Sequence, residues 1–457
     1  MAQELIISVS GVRGLIGENL TAALAAEYGC AFGSFLKDNA SGRRRLKVCI
    51  GRDSRPSGPM LEAAVSAGLC SVGVDVVTLG IVATPTVGIM LRELECDGGV
   101  VITASHNPVP YNGVKLLLSN GIAPSPAMAQ DIKQRFLDKQ FSHVGSVDCG
   151  RTLANAEGNE THIGKVLPLV QPDVIARQAY RVVLDSVNGA GGAAGKQLLE
   201  QLGCDVVLVN GDPTGLFAHE PEPTAANLES LCGIVTDEQA VIGFAQDPDA
   251  DRLAIVDENG SYIGEEFTLA LAARQIMSQQ QGKAAANLST SRMIDDIAQA
   301  VGSEVIRTPV GEANVAGAMI ENQCIIGGEG NGGVIDLRVG PIRDSLVAMA
   351  LVLQLMAETG KTLSQLVAGI PAYAMLKEKY SANADQAQAI IQLAQAAWPG
   401  ARINTSDGCR FDFEDSWVHL RVSNTEPVMR MITEARDPAT AQGYADTVEK
   451  IRKKVLG

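Results

Sequence analysis

At 457 residues the chain is too long for one ordinary core, and roughly three or four domains are expected. A formal net charge of −15 argues against a broad nucleic-acid surface, so any anion the chain handles must meet a local cluster of Arg and Lys. No apolar run approaches the roughly 20 residues that span a bilayer, no basic signal-peptide start is seen, and the nine cysteines are scattered without a C-x-x-C pair; a reduced, cytoplasmic protein without disulfides or zinc is expected.

In chain order, Ser10-Gly11-Val12-Arg13-Gly14 brackets an arginine with glycines and by itself fits any turn. Leu46 to Ile50 reads as an apolar strand ending in Gly51-Arg52-Asp53-Ser54-Arg55, followed by a helix from Met60 and a strand from Val74 to Thr78. Gly98 to Ala104 is a further apolar strand, and it runs into Ser105-His106-Asn107-Pro108. The asparagine and proline stop the strand, so one hydroxyl is left at its carboxyl end, where open α/β sheets put their chemistry. An adjacent histidine hints at a hydrolase, but neighbours in sequence rarely pair as nucleophile and base, and no Gly-x-Ser-x-Gly elbow surrounds Ser105. Lys115, a few residues on, is a candidate charge clamp or proton shuttle. Ser125-Pro126 starts a helix with serine as its cap, its apolar face marked by Met128, Ile132 and Phe136.

The polar stretch 145–160 reads as a connection. A new strand at Arg181 to Asp185 leads into a Gly-rich turn at 186–192, and strands follow at Val206 to Val209 and Val241 to Ala245. Next comes Asp247-Pro248-Asp249-Ala250-Asp251-Arg252, leading into strand Leu253 to Asp257. Three carboxylates at alternate positions repel one another unless a cation neutralises them, and hard oxygen donors favour Mg²⁺ or Ca²⁺; an acidic hairpin in water is the alternative. Arg252 can hold a carboxylate or a phosphate.

The third part carries helices at Thr268 to Gln279 and Asp344 to Glu358, and strand Cys324 to Ile326 before Gly327-Gly328-Glu329-Gly330-Asn331-Gly332-Gly333. Five glycines around one carboxylate and one amide suit a loop pressed on a polyhydroxylated ligand. In the last part, after Pro371, strands at Arg410 to Phe413, Trp417 to Arg421 and Met429 to Ala435 precede a C-terminal helix. Between two of these strands, Arg421, Ser423, Asn424 and Thr425, with Arg430 beyond, gather hydroxyls, an amide and two guanidinium forks into a phosphate cradle. Together the clusters suggest phosphoryl transfer on a sugar phosphate.

The motifs TASHNP, DPDADR and RVSNTEP, in this order and spacing, with GRDSRPSG and LDSVNGAGG, make the chain resemble an α-D-phosphohexomutase nearly end to end. That resemblance implies an α/β fold of three similar α/β domains plus a smaller C-terminal α+β domain around a central cleft. The expected domains are residues 1–150 with a phosphoserine loop, 151–256 with a metal loop, 257–370 with a sugar-binding loop and 371–457 with a phosphate-binding loop. It implies Ser105 as the phosphoserine, and Asp247, Asp249 and Asp251 as ligands of one Mg²⁺ with an oxygen of that phosphoserine. Arg13, Lys115 and His106 would flank the reacting centre. Glu329 and Asn331 would grip sugar hydroxyls, and Arg421, Ser423, Asn424, Thr425 and Arg430 would bind the phosphate that is not reacting, with Arg252 as a further substrate contact. The partner would be a small sugar phosphate, with a hexose 1,6-bisphosphate as intermediate and activator, neither nucleic acid nor membrane, and the chain a monomer or homodimer. Many family members end the sugar loop in Ser-Gly-His where this chain has Asn331-Gly332-Gly333, so the preferred hexose stays open among glucosamine, mannose and glucose phosphates. A sugar-phosphate-binding protein without turnover and a metal-dependent sugar phosphatase are the alternative functions.

Overall fold

The computed structural model describes residues 5–40, 42, 45–422 and 428–456. Four sheets follow one another along the chain. The first holds β1 (Ile6–Ser8), β2 (Gly11–Leu15), β3 (Lys47–Arg52), β4 (Asp75–Ile81), β5 (Gly98–Ile102), β6 (Tyr111–Leu118) and β7 (Thr152–Ala154) in the order β1-β2-β6-β5-β3-β4-β7. The second is β11-β10-β8-β9, from β8 (Arg181–Asp185), β9 (Asp205–Val209), β10 (Ile242–Gln246) and β11 (Leu253–Asp257). The third is β13-β12-β14-β15, from β12 (Ala284–Asn287), β13 (Val305–Thr308), β14 (Ile326–Glu329) and β15 (Gly333–Ile335).

These three sheets repeat one plan. In each, three parallel strands are followed by a hairpin into an antiparallel neighbour: β5 into β6, β10 into β11, β14 into β15. Helical crossovers make the parallel pairs, and the hairpin after the last parallel strand falls at the carboxyl end of the sheet, where α/β folds bind ligands. The three sequence clusters occupy that one position in each unit: Ser105 between β5 and β6, the aspartates between β10 and β11, and Asn331 between β14 and β15.

The fourth sheet is antiparallel, β16-β20-β19-β18-β17, from β16 (Ala374–Ser381), β17 (Arg402–Asn404), β18 (Cys409–Asp412), β19 (Trp417–Val422) and β20 (Val428–Ala435). Helices Ala384–Ala397 and Pro438–Leu456 pack with it around one core that includes Ile390, Phe411, Leu420 and Val448.

The second and third units share a core. Helix Ser345–Thr359 is buried along every residue from Ser345 to Ala357, the mark of a helix apolar all round, and its side chains join Leu198 and Phe244 of the second unit to Ile326 of the third. The serine cap of helix Pro126–Leu137 is present, with Ser125 accepting from the Met128 N–H, and Ile132 and Phe136 are buried; Met128 is exposed. Two expectations are corrected and one strand is added. The connection at 145–160 contains β7, which pairs in parallel with β4 and extends the first sheet, and its last residues start helix Gly158–Val166. The strand expected at Cys324 to Ile326 instead begins at Ile326 and runs through Gly327 and Gly328 to Glu329, because these glycines pair with β15. β16, unmarked in the sequence because it carries alternating charge, is the edge of the fourth sheet.

Candidate active site

Ser105 stands in the left-handed region (φ 50°), a conformation that costs a non-glycine residue about 1 kcal/mol or more and persists only where its surroundings impose it. A fully buried Arg55 does so. Its guanidinium donates to the carbonyls of Ser105 (2.7 Å), Asn107 (2.6 Å), Pro108 (2.8 Å) and Tyr111 (3.0 Å), and to Asp53 (3.0 Å). Asp53 also accepts from Thr103 Oγ1 (2.7 Å), which in turn accepts from the Ser105 N–H (2.8 Å). Burial pushes the Asp53 carboxyl up, against Arg55 and Thr103, which favour its charged form.

Across the interface the aspartate loop carries a second left-handed residue, Ala250 (φ 53°). Its carbonyl accepts from Ser345 Oγ (2.8 Å) at the start of the buried helix. Asp247, Asp249 and Asp251 are all buried, with one oxygen from each within 4.8 Å of the others. The protein meets both oxygens of Asp247 but only one each of Asp249 and Asp251. Asp247 accepts from the N–H groups of Asp251 (3.1 Å) and Arg252 (3.2 Å), and the Ser105 hydroxyl donates to its Oδ2 (3.2 Å). Asp249 Oδ2 takes Lys115 Nζ (2.9 Å) and Thr84 Oγ1 (2.7 Å), and Asp251 Oδ2 takes Arg343 (2.5 Å). The Oδ1 atoms of Asp249 and Asp251 are buried and have no hydrogen-bond partner. Buried carboxylate oxygens are costly when unmet, so this donor set fits a hard divalent cation. Burial and the two neighbouring aspartates push the Asp247 carboxyl up; at Asp249 burial acts the same way but Lys115 and Thr84 outweigh it and hold the group below the usual range.

Arg13, on β2, donates to Asn107 Oδ1 (2.7 Å), which brings it beside the serine loop. Lys115 keeps its proton, burial notwithstanding, because Asp249 and Asp251 face it. His106 Nδ1 lies 3.3 Å from Ser105 Oγ, and burial, with Arg252 and Arg13 nearby, pushes the imidazole down to about 3. His106 is therefore neutral near pH 7 and adds no positive charge to the site.

Glu329 is buried at the end of β14, its oxygens met by Asn287 Nδ2 (2.7 Å), the Gly311 N–H (3.1 Å) and Arg343 (2.6 Å). Arg343 thus bridges Asp251 and Glu329, and it also binds Glu312 (3.1 Å). Asn331 Oδ1 is buried without a partner. His106, Arg252, Glu329, Asn331, Arg421 and Arg430 line one cleft of about 400 Å³, to which all four units contribute. Arg421 is also paired with Asp407 (3.1 Å). Ser423, Asn424 and Thr425 lie outside the described residues.

Sequence reasoning missed Arg55, Thr84 and Arg343. Arg55 sits inside the quoted GRDSRPSG segment, and Arg343 directly precedes the Asp344 cap of the buried helix Ser345–Thr359, so a basic residue at a helix start was the available signal. Thr84 has none, since its partner Asp249 is 165 residues away.

Comparison with known proteins agrees with this arrangement. Models of the phosphoglucomutase/phosphomannomutase domains I, II and III and of the C-terminal domain match residues 5–143, 160–260, 265–373 and 375–451. A phosphoglucomutase/phosphomannomutase of Thermococcus kodakarensis is 38% identical over 98% of each chain. A probable phosphoglucosamine mutase of Methanopyrus kandleri is 36% identical over 98% of this chain and 97% of that one. The crystal structure of a phosphoglucomutase/phosphomannomutase family protein from Burkholderia thailandensis superimposes with a TM-score of 0.87 at 28% identity, covering 99% of this chain and 98% of that one. With a metal-fitting triad in contact with a strained serine, beside a cleft lined from all four domains, and with family models matching along the chain, the chain belongs to the phosphoglucomutase/phosphomannomutase family of phosphohexomutases.

Proposed function

We propose that the protein interconverts hexose 1-phosphates and hexose 6-phosphates, with Ser105 as the phosphoryl carrier and a hexose 1,6-bisphosphate as intermediate. The observation that carries this reading is the Ser105 hydroxyl held 3.2 Å from Asp247, beside two buried aspartate oxygens with no hydrogen-bond partner. Asp247, Asp249 and Asp251 would hold Mg²⁺ together with an oxygen on Ser105. Mg²⁺, when bound there, supplies charge neutralisation at the transferring phosphoryl group.

Phosphoryl transfer needs alignment and charge stabilisation more than covalent help. Arg55 fixes the serine backbone through four carbonyls, so its oxygen waits in one position. The Lys115 ammonium, 2.9 Å from Asp249, and the Arg13 guanidinium put fixed positive charge beside the reacting oxygens. His106 Nδ1, 3.3 Å from Ser105 Oγ, can orient the reacting oxygen by a hydrogen bond, but an imidazole pushed down to about 3 is a poor proton acceptor near pH 7. Glu329 and Asn331 suit sugar hydroxyls, and Arg421 and Arg430, which line the same cleft, suit the phosphate that is not reacting. The bisphosphate must turn over between the two half-reactions, so this distal site has to receive either phosphate. No disulfide links the nine cysteines, which suits a reducing, cytoplasmic setting.

The test is conversion of glucose, mannose and glucosamine phosphates by the Mg²⁺-loaded protein with a trace of bisphosphate. One or more of the three is expected to isomerise, and Ser105→Ala to abolish turnover together with any phosphoserine seen by intact mass. Release of inorganic phosphate as the main product, or saturable binding with no isomerisation, refutes the proposal.

A further inference from the structure

The cleft-facing side of the fourth sheet carries an unusual pairing. Lys379 on β16 lies directly opposite Arg430 on β20, and Arg430 lies directly opposite Arg421 on β19. Residues directly opposite in adjacent strands point to the same face, with Cβ atoms about 5 Å apart, and like charges so placed destabilise a sheet. Three cations therefore form one row across three strands, spanning about 10 Å, and all three line the cleft.

The row below it has a different fate. Lys377, Ile432 and His419 are the next residues in register on the same face. Lys377 is matched by Glu265 (2.5 Å) and Glu266 (3.6 Å), and His419 Nδ1 bonds Ser289 Oγ (2.9 Å). Both docking partners come from the third domain, so the lower row is neutralised by the interface. In the upper row, Arg421 alone has a carboxylate, Asp407; among the described residues Lys379 and Arg430 have none. Two unneutralised charges side by side over a cleft call for an anion in it.

We infer that Lys379 is a third cationic ligand of the distal phosphate, acting with Arg421 and Arg430 as one in-register row. This rests on the proposed function for the sugar but not for the anion, and two readouts separate them. The edge strand β16 would then bring a flexible ammonium that can follow the phosphate as the hexose changes orientation, where the two guanidinium groups offer fixed forks.

The first readout is thermal melting of the full chain titrated with inorganic phosphate in the presence of Mg²⁺. Without phosphate, Lys379→Met is expected to melt at or above the wild-type temperature, because a repulsive neighbour is gone. With phosphate, it should need about tenfold more for the same upward shift, the size of one lost charge-assisted hydrogen bond. Lys379→Arg should stay close to wild type, and Lys450→Met, which removes the same charge from the outer helix, should match it. The second readout is kinetic: in Lys379→Met the KM for the hexose monophosphate should rise about tenfold while kcat changes far less, since the lost contact is made equally in ground and transition states. A Lys379→Met phosphate titration that overlays the wild type, an arginine variant as weak as the methionine one, or a wild-type protein whose melting ignores phosphate overturns the inference. A Lys379-dependent phosphate shift in a protein that isomerises none of the three hexose phosphates refutes the proposed function and leaves the inference standing.

Discussion

Arg343→Met tests whether the site is one electrostatic unit. The guanidinium is buried and touches three carboxylates: Asp251 at 2.5 Å, Glu329 at 2.6 Å and Glu312 at 3.1 Å. Methionine keeps most of the volume but leaves those carboxylates facing one another with no cation between them. Attraction at these distances is several kcal/mol per contact at an effective dielectric near 20, but desolvation of the arginine offsets much of it, and breaking a buried pair typically costs about 3–5 kcal/mol. For a folding unit of about 200 residues that is a fall in melting temperature of roughly 10 °C. The chain offers a spatial control, because its two tryptophans, Trp398 and Trp417, both sit in the fourth domain. Far-ultraviolet circular dichroism should report the early transition, and tryptophan fluorescence should lag behind it. Added Mg²⁺ should narrow the gap to wild type, because a cation on the triad neutralises Asp251. Arg343→Lys, which restores one charge but can serve fewer of the three partners, should fall between. A methionine variant melting within about 2 °C of wild type, or one whose fluorescence transition falls first, refutes the reasoning.

His162 is buried between Thr86 (2.8 Å) and the helix-capping Asp344 (2.7 Å), so His162→Leu strands a hydroxyl and a carboxylate oxygen and should cost about 2–4 kcal/mol in urea unfolding, with His162→Gln recovering part; an unchanged midpoint would count against a structural role for this chain of bonds. A Cβ at Gly330 would stand 1.9 Å from Glu266 Oε2, which already accepts from the Ser291 N–H, so Gly330→Ala should lower the melting temperature by overpacking worth about 1–3 kcal/mol, and a neutral result would mean that the Glu266 side chain moves freely. The hydrogen bond to Asp185 raises the His219 imidazole above its ordinary value, although burial opposes it. A group raised in the folded state stabilises fully below its unfolded value near 6.5 and loses that contribution as pH rises through the folded value. The melting gap between wild type and His219→Gln should therefore be larger at about pH 6 than at about pH 8.5; an equal gap at both would show that the tie carries no charge.

The sequence by itself determined where the candidate site residues lie along the chain. Ser105, the alternate aspartates and Asn331 each follow an apolar strand, and a strand's end is a local matter of where the apolar run stops and glycine, proline or asparagine begins. That all three stand at the same hairpin of one repeated sheet plan emerged only from strand order, which depends on pairing between distant segments. The same division runs through the site. Asp249 is legible as a candidate metal ligand from its neighbours in sequence, whereas Thr84, Lys115 and Arg343, which decide which of the aspartate oxygens stay open, arrive from 165, 134 and 92 residues away from their partners. Lys379 is the plainest case: in sequence it is one of several charges on an alternating strand, and only the register of β16 on β20 sets it beside Arg430. Local hydrogen bonding and hydrophobic patterning are written residue by residue, but charge is judged against whatever the folded chain brings within a few ångströms.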